Sequence, residues 1–142
     1  KRLRLEQVMY MTFYNDVARL VDDRIIVLVE HQSTVNANMP LRFLQYVARL
    51  YEQIQDPKAK YYRTLQKIPT PEFYVFYNGV ENYPERTTLK LSDAFMTISE
   101  NPTLELVVSV TNINYNKGSE ILHKCKKNHT RVCTNLWSCM KL

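Results

Sequence analysis

The sequence contains no apolar run that approaches the roughly 18–20 residues of a membrane-spanning helix. Its N-terminus, KRLRLEQVMYMTFY, starts with basic residues, but polar side chains interrupt it and no small-residue cleavage site follows. These absences argue against a membrane anchor and a secretory leader, so we expect a cytoplasmic protein with no membrane partner. Internal repeats and low-complexity segments are also missing. The first residue is Lys rather than Met, so we expect a fragment of a longer chain.

Cysteine is absent from most of the chain, and the three cysteines that occur lie near the C-terminus at Cys125, Cys133 and Cys139. No CxxC pair is present, and the spacings are irregular for a metal cluster. We therefore favour free thiols in a reducing compartment. A zinc cluster that includes His123 and His129 is the alternative.

The chain also lacks net charge over residues 1–116, which carry 13 basic and 13 acidic side chains. The whole excess of +5 lies in residues 117–142, where six basic side chains face one acidic side chain. Such a tail can add affinity for phosphate groups, or it can be a solvated end.

With 142 residues and 45% hydrophobic residues, the chain is long and apolar enough for one globular domain.

An apolar run from Ile25 to Val29 is the strongest local signal. Five β-branched or leucine side chains in a row are typical of a strand buried on both faces. The preceding run from Val17 to Val21 is also strand-like, and Asp22-Asp23-Arg24 between them predicts a tight hairpin turn. A three-residue connection determines the pairing of the two strands, which predicts three pairs: Val21 with Ile25, Val17 with Val29, and Asp16 with Glu30.

The predicted register places Asp16 directly opposite Glu30, with their Cβ atoms roughly 5 Å apart. Because side chains alternate along a strand, Glu30 shares one face with Leu28 and Gln32, while His31 points to the other. Two carboxylates this close repel unless a cation neutralises them, and an oxygen site of this kind suits Mg²⁺. We therefore predict a metal site at these acids. Judged singly, Asp16 is more typical of a turn acid, whereas burying a lone carboxylate is costly and makes Glu30 the stronger candidate.

A periodic segment after the hairpin predicts an amphipathic helix from Met39 to Gln55. Asn38 is a natural N-cap, Pro40 suits the first turn, and Asp56-Pro57 ends the helix. Apolar side chains recur at steps of three and four residues, as expected for one helical face. They are Leu41, Leu44, Val47, Ala48, Leu50, Tyr51 and Ile54.

The other elements are predicted from shorter patterns. Residues 5–14 suggest a short strand, with a helical turn as the alternative, and residues 58–67 suggest a basic loop or short helix. Extended segments are predicted at Phe73–Tyr77, Leu89–Ser92 and Leu104–Asn112. The order of hairpin, helix, strand, loop and strand favours an α/β or α+β fold with a mixed sheet.

Four segments together resemble the PD-(D/E)XK nuclease superfamily and, within it, the recombination-promoting nucleases, also described as YhgA-like transposases. The segments are NDVARLVDDRIIVLVEHQSTVNANMPLRFLQYVARLYE, KIPTPEFYVFYNG, LKLSDAF and LELVVSVTNINYN. The similarity extends from about Leu5 to Lys127. It implies a restriction-endonuclease-like α/β core, with a mixed sheet and flanking helices, that acts on DNA through Mg²⁺ or another divalent cation. No small-molecule cofactor is expected, and the superfamily commonly dimerises to cut both strands.

The resemblance assigns a role to five residues of this sequence. Asp16 and Glu30 match the metal-binding acids, and Gln32 stands where most of the superfamily has Lys, as a catalytic helper without charge. Arg42 and Tyr46 match the family pattern on the helix, where residues four apart share one face. We interpret these two as groups that contact phosphate or support the site, although Arg42 could also be an ordinary cation on an exposed helix face.

Two departures from the family pattern shape the predicted domain organisation. The helix that the family places before the first strand is missing, and Glu6 is only a weak substitute for the acid it often carries. The tail after Lys127, NHTRVCTNLWSCMKL, is unlike the family and suggests a truncated or frameshifted end. We therefore predict an N-terminally truncated nuclease-like domain over residues 1–127 and an atypical basic, cysteine-containing tail over residues 128–142.

The residues alone predict a carboxylate metal site, and the resemblance implies the nuclease activity and the role in recombination. Three functions are therefore candidates. The first is a metal-dependent DNA endonuclease linked to recombination. The second is an inactive remnant that only binds DNA or another partner. The third is a module whose tail binds zinc.

Overall fold

The structure, a computed structural model, describes residues 8–10, 16–22 and 24–114. Within these residues it contains six strands and one α-helix: β1 (Val8–Tyr10), β2 (Asp16–Val21), β3 (Ile25–Gln32), α1 (Met39–Ile54), β4 (Thr70–Tyr77), β5 (Arg86–Lys90) and β6 (Val107–Asn112). Two short 3-10 helices cover Ala59–Tyr61 and Leu91–Ala94. The predicted tail and the predicted boundary at Lys127 lie outside the described residues. Most of the segment before β2, where the first helix of the family was predicted to be missing, lies outside them as well.

The six strands form one mixed sheet in the order β1-β2-β3-β4-β6-β5. Strands β1, β2 and β3 are antiparallel neighbours, β3, β4 and β6 run parallel, and β5 pairs antiparallel with β6. The prediction of an α/β fold with a mixed sheet is therefore confirmed. The parallel pairing of β3 with β4 is made possible by α1, since a crossover connection between parallel strands is usually helical.

The hairpin has the predicted register. Asp16 pairs with Glu30, Val17 with Val29 and Val21 with Ile25. Asp22 adopts φ of 50°, a left-handed conformation that Asp tolerates better than most residues, and this closes the short turn. Because three successive residues of β3 (Ile26, Val27 and Leu28) are fully buried, the prediction of a strand covered on both faces is confirmed at its centre.

Helix α1 begins at Met39 as predicted and ends one residue earlier, at Ile54. Asn38 occupies the N-cap position, but its side chain makes no capping hydrogen bond. Two members of the predicted apolar stripe, Leu41 and Ala48, are exposed. The helix is rotated so that its buried face includes four residues outside that stripe, namely Met39, Pro40, Phe43 and Tyr46. Both faces have helical spacing, so the sequence pattern alone did not distinguish them.

The core lies between α1 and one face of the sheet. It contains buried apolar side chains from α1 and from strands β2, β3, β4 and β6, with Leu91 and Leu106 closing one side. Three strands differ from prediction at their edges: β4 starts at Thr70 rather than Phe73, β5 covers Arg86–Lys90 rather than Leu89–Ser92, and β6 starts at Val107 rather than Leu104. The intervening residues form a 3-10 turn and a loop, so they are unavailable for strand pairing. Among the described residues, no helix has the length and apolar character needed to cross a membrane.

Candidate metal site at the carboxyl end of the parallel strands

The candidate site residues come from two consecutive elements. Glu30 and Gln32 lie at the end of β3, and Arg42 and Tyr46 lie in the first two turns of α1. The polar loop Ser33–Asn38 reverses the chain between these elements, so the start of the helix returns to the end of the strand. In open α/β sheets this carboxyl end of the parallel strands is where ligands commonly bind.

Glu30 is the buried acid of the site, with 3% of its surface exposed. Its Oε1 accepts a hydrogen bond from Nε2 of Gln32 at 2.9 Å and lies 2.9 Å from the Arg42 guanidinium. A buried carboxylate requires such compensation, because transfer of an isolated charge from water into a protein interior is strongly unfavourable. The structure thus brings together three residues that the sequence analysis predicted to share one site.

Asp16 lies directly opposite Glu30 in the antiparallel pairing of β2 with β3. Residues in directly opposite positions of an antiparallel pair belong to the same face of the sheet. The predicted register of the two acids is therefore confirmed. The orientation of the Asp16 side chain lies outside what the structure describes, so its role as a metal ligand stays a prediction.

Arg42 and Tyr46 share one helical face, as predicted, and the structure shows that they also contact each other. The Tyr46 hydroxyl accepts hydrogen bonds from Nε of Arg42 at 3.2 Å and from a terminal guanidinium nitrogen at 2.9 Å. The Tyr46 ring is buried and packs edge-on against Phe43, with 6.3 Å between the ring centroids. Tyr46 thereby holds the guanidinium from the helix side, while Glu30 holds it from the strand side. The predicted contact of either residue with phosphate is not tested by this geometry.

Gln32 is held at both its side chain and its backbone. Its Nε2 also contacts the sulfur of Met39 at 2.7 Å, and its carbonyl accepts a hydrogen bond from the backbone N–H of Asn78 at 3.0 Å. Met39, which is fully buried, was not among the predicted site residues. The signal in the sequence that could have identified Met39 is its position as the first residue of the predicted helix.

The ends of β3, β4 and β6 form a row beside the site, because Gln32 pairs with Tyr77 and Tyr77 pairs with Asn112. Asn112 is fully buried; its Nδ2 donates to the carbonyl of Tyr83 at 2.9 Å, and its Oδ1 accepts from the backbone N–H of Asn114 at 3.0 Å. These partners are backbone groups, so Asn112 shapes the loops next to the site. Sequence reasoning missed it, since Asn at a strand end is an ordinary turn signal.

Two other polar side chains that the structure describes, those of His31 and Asp22, do not belong to this site. His31 is exposed and follows Glu30 on the strand, so alternation places it on the other face, as predicted. Asp22 is an exposed turn residue. Throughout the part of the chain that the structure describes, no group of three or more His, Cys, Asp or Glu side chains could hold a metal ion. The predicted zinc alternative involves the tail cysteines and falls outside that part.

The donor set suits a hard cation in its chemistry. Two carboxylates in paired positions, beside an amide, provide the oxygen ligands that Mg²⁺ prefers, and Mg²⁺ commonly takes only one or two carboxylates from a protein. The residues present therefore fit the predicted metal. The geometry adds one feature that the sequence did not reveal: Oε1 of Glu30 is shared by a protein cation and an amide.

A family model described as "Putative transposase, YhgA-like" matches residues 12–132 of this chain. A search of curated proteins and a search of solved structures found no match. The family match includes all five predicted site residues, and it runs from within the expected region of similarity to slightly beyond Lys127.

Proposed function

The chain belongs to the YhgA-like transposase family, because the family model covers residues 12–132 of its 142 residues, and on that premise we propose that it is a metal-dependent DNA endonuclease. The family description indicates an activity on nucleic acid. Specifically, we propose that the chain hydrolyses phosphodiester bonds in DNA and that the resulting breaks serve recombination or a mobile element. A restriction-endonuclease-like core of the PD-(D/E)XK type is part of the same proposal.

The observation that carries this proposal is a buried acid whose paired residue on the neighbouring strand is a second acid. Glu30 is buried directly after the apolar run Ile25–Val29 of β3, and Asp16 is its paired residue on β2. A protein core seldom contains a carboxylate without a reason, because its burial costs several kcal/mol unless a cation or hydrogen bonds compensate, on the order of the penalties measured for buried ions. Metal binding at the carboxyl end of the sheet is such a reason.

Each site residue has a distinct role in the proposal. Asp16 and Glu30 would hold Mg²⁺, which when bound supplies charge to polarise the scissile phosphate and to lower the pKa of the attacking water. Gln32 keeps Glu30 in one orientation through its 2.9 Å hydrogen bond. Its amide can orient a water but carries no charge, so it is the weaker helper. Arg42, supported by Tyr46, places a positive charge beside Glu30, where an anionic backbone would approach.

Cleavage of supercoiled plasmid in the presence of Mg²⁺ tests the proposal directly. We expect the unmodified chain to nick the plasmid, and we expect Asp16→Ala and Glu30→Ala to abolish nicking because each removes a metal ligand. Gln32→Ala should reduce the rate and leave measurable activity. Glu52→Ala and Asp93→Ala are matched controls, since each removes an exposed acid elsewhere on the described surface.

Circular dichroism of every variant establishes that it is folded before its activity is compared. Nicking that survives both Asp16→Ala and Glu30→Ala would remove the assignment of the site. Absence of nicking by the folded, unmodified chain at any divalent cation concentration would favour the inactive remnant.

One observation favours that second candidate, a DNA-binding or interaction module without catalysis. The Glu30 carboxylate is already neutralised by Arg42, so its burial does not by itself require a metal. Titration with Mg²⁺ separates the two candidates, because the module would bind DNA with the same affinity in EDTA and in Mg²⁺.

A further inference from the structure

The ion pair between helix α1 and strand β3 puts a protein cation at the predicted metal site. The guanidinium of Arg42 lies 2.9 Å from Oε1 of Glu30, the acid that the proposed function assigns to the metal. A divalent cation and a guanidinium are both attracted by the same carboxylate and repel each other. Their binding to Glu30 is therefore coupled.

The surroundings of Arg42 permit its guanidinium to leave the Glu30 carboxylate and to return to it. Its side chain is 37% exposed, so it can leave the carboxylate without becoming buried elsewhere. Two of its nitrogens are hydrogen-bonded to the Tyr46 hydroxyl, at 3.2 and 2.9 Å, from the next turn of the same helix. A guanidinium released by Glu30 would thus remain next to the site instead of dispersing into solvent.

We propose that Arg42 is an internal counter-cation that competes with the divalent cation for Glu30 and so sets the metal affinity of the site. The inference rests on the proposed function, because it requires Glu30 to bind a metal. In the metal-free protein Arg42 neutralises the buried acid and stabilises the contact between α1 and β3. Metal binding displaces the guanidinium from Oε1, and the displaced side chain becomes available to an anionic phosphate.

Binding of Mg²⁺ alone, without DNA, measured by calorimetry and by the shift in the thermal unfolding midpoint, tests this inference. Arg42→Gln should bind Mg²⁺ about tenfold more tightly than the unmodified chain, since it removes a positive charge a few ångströms from the metal. In EDTA the same variant should unfold at a lower temperature, because Glu30 loses its cation, and saturating Mg²⁺ should restore the midpoint.

Two further substitutions test whether the Mg²⁺ affinity depends on the charge of the side chain at position 42, rather than on its shape or on a charge elsewhere on α1. Arg42→Lys keeps the positive charge and should bind Mg²⁺ within about threefold of the unmodified chain, because the competing charge that sets the affinity is retained. Arg49→Gln removes the same charge from an exposed position two turns further along α1 and should leave both affinity and midpoint unchanged. If Arg42→Gln is unfolded in EDTA, the expected result is that Mg²⁺ refolds it.

The outcomes also distinguish this inference from the proposed function. Binding of Mg²⁺ by the unmodified chain, with equal or weaker binding by Arg42→Gln, overturns the counter-cation role and leaves the metal site standing. An Arg42→Gln chain that stays unfolded in saturating Mg²⁺ overturns it as well. Absence of Mg²⁺ binding by every chain overturns both, as does Glu30→Gln binding as tightly as the unmodified chain.

Discussion

A buried carboxylate is the least expected residue of this core, and its partners explain how it is tolerated. Glu30 receives an amide hydrogen bond from Gln32 and an ion pair from Arg42, both at 2.9 Å. Removing one partner of a buried ion pair commonly costs about 3–5 kcal/mol, because the other charge is left uncompensated. The residues around Glu30 therefore act as a unit, and a substitution at any of them affects stability as well as chemistry.

Gly79 is a second residue whose identity is constrained by the site. It is buried, and a Cβ there would overlap the carbonyl oxygen of Ser33 and the side chain of Tyr77. Ser33 directly follows Gln32, so the Asn78-Gly79 turn packs against the end of β3. Glycine is required here because these atoms approach the backbone closely, and not because φ is unusual.

Gly79→Ala should destabilise the protein by about 1–3 kcal/mol, the usual cost of overpacking, because Ser33 or Tyr77 must shift. Urea unfolding measures the change. Asn78→Ala is the matched control: Asn78 is exposed, and its contact with Gln32 uses the backbone N–H, which Ala retains. Equal stability of the two variants would mean that Ser33 and Tyr77 move freely to admit the methyl group, so that glycine is not required at this position.

At the scale of elements, the site depends on how α1 is fixed between two strands. Its first turn is held to β3 by the contacts of Arg42 and Met39. Its last turns are held by the Tyr51 hydroxyl, which donates to the carbonyl of Pro69 at 2.7 Å, just before β4. Burial raises the pKa of Tyr51, so this phenol stays protonated and can donate throughout the neutral range. The helix is therefore fixed at both ends.

The Glu105 carboxylate stabilises the connection between β5 and β6. Glu105 accepts hydrogen bonds from the Ser92 hydroxyl at 2.6 Å and from the backbone N–H groups of Ser92 and Leu106 at 3.1 and 3.0 Å. The Ser92 hydroxyl is the main reason that the pKa of Glu105 lies below its ordinary value, and the backbone donors add to it. A folded pKa below the unfolded one means that Glu105 stabilises the fold above the unfolded pKa of about 4.3. That contribution disappears as the pH falls through the folded pKa.

Ser92→Ala should raise the pKa of Glu105 towards its ordinary value, because the strongest donor to the charged form is lost. Carbon-detected NMR titration of the glutamate carboxyl groups measures this shift. Ser109→Ala, an exposed serine on β6, should leave the titration unchanged. A Glu105 pKa that is the same in Ser92→Ala and the unmodified chain would show that the backbone donors suffice.

At the scale of the whole molecule, charge is distributed unevenly along the chain. Residues 1–116 are neutral overall, and residues 117–142 carry the entire excess of +5. Affinity for DNA that comes from phosphate contacts depends on salt through the release of counterions. The charge distribution therefore predicts that residues 117–142 control the salt dependence of the proposed DNA binding.

Replacing Lys124, Lys126 and Lys127 together by Gln should weaken DNA binding and flatten the plot of log Kd against log salt concentration. The expected change in slope is about 1 for each lysine that contacts a phosphate. The matched control replaces Lys58, Lys60 and Lys67, which lie in the part of the chain that is neutral overall. Equal changes in slope for the two triple variants would show that the excess charge of the tail has no special role.

The local architecture could be predicted from the sequence because its causes are local. A three-residue turn between two apolar runs leaves one register for the hairpin, so the pairing of Asp16 with Glu30 was determined before any tertiary contact was known. Likewise, Pro40 and the apolar period placed the start of α1 correctly and its end within one residue. The five predicted site residues follow from that local order together with the family resemblance.

The tertiary structure decided which of these elements meet. The rotation of α1 about its axis buries Phe43 and Tyr46 and exposes Leu41, and this depends on the shape of the sheet surface beneath the helix. The placement of β6 between β4 and β5 is equally non-local. Contacts between residues distant in sequence, such as Asn112 with Tyr83 and Gly79 with Ser33, have no signature in a single sequence.

The ion pair of Arg42 with Glu30 shows most clearly what the sequence determines and what the tertiary structure decides. Both residues were predicted from the sequence and its family resemblance, Glu30 as a metal-binding acid and Arg42 as a group that contacts phosphate or supports the site. That the cation lies on the acid itself depends on the path of the loop Ser33–Asn38 and on the rotation of α1, which are set by packing across the whole sheet. The sequence by itself determined which groups could take part in chemistry, and the tertiary structure decided which of them neutralise one another, because electrostatic contacts depend on distances that local patterns do not specify.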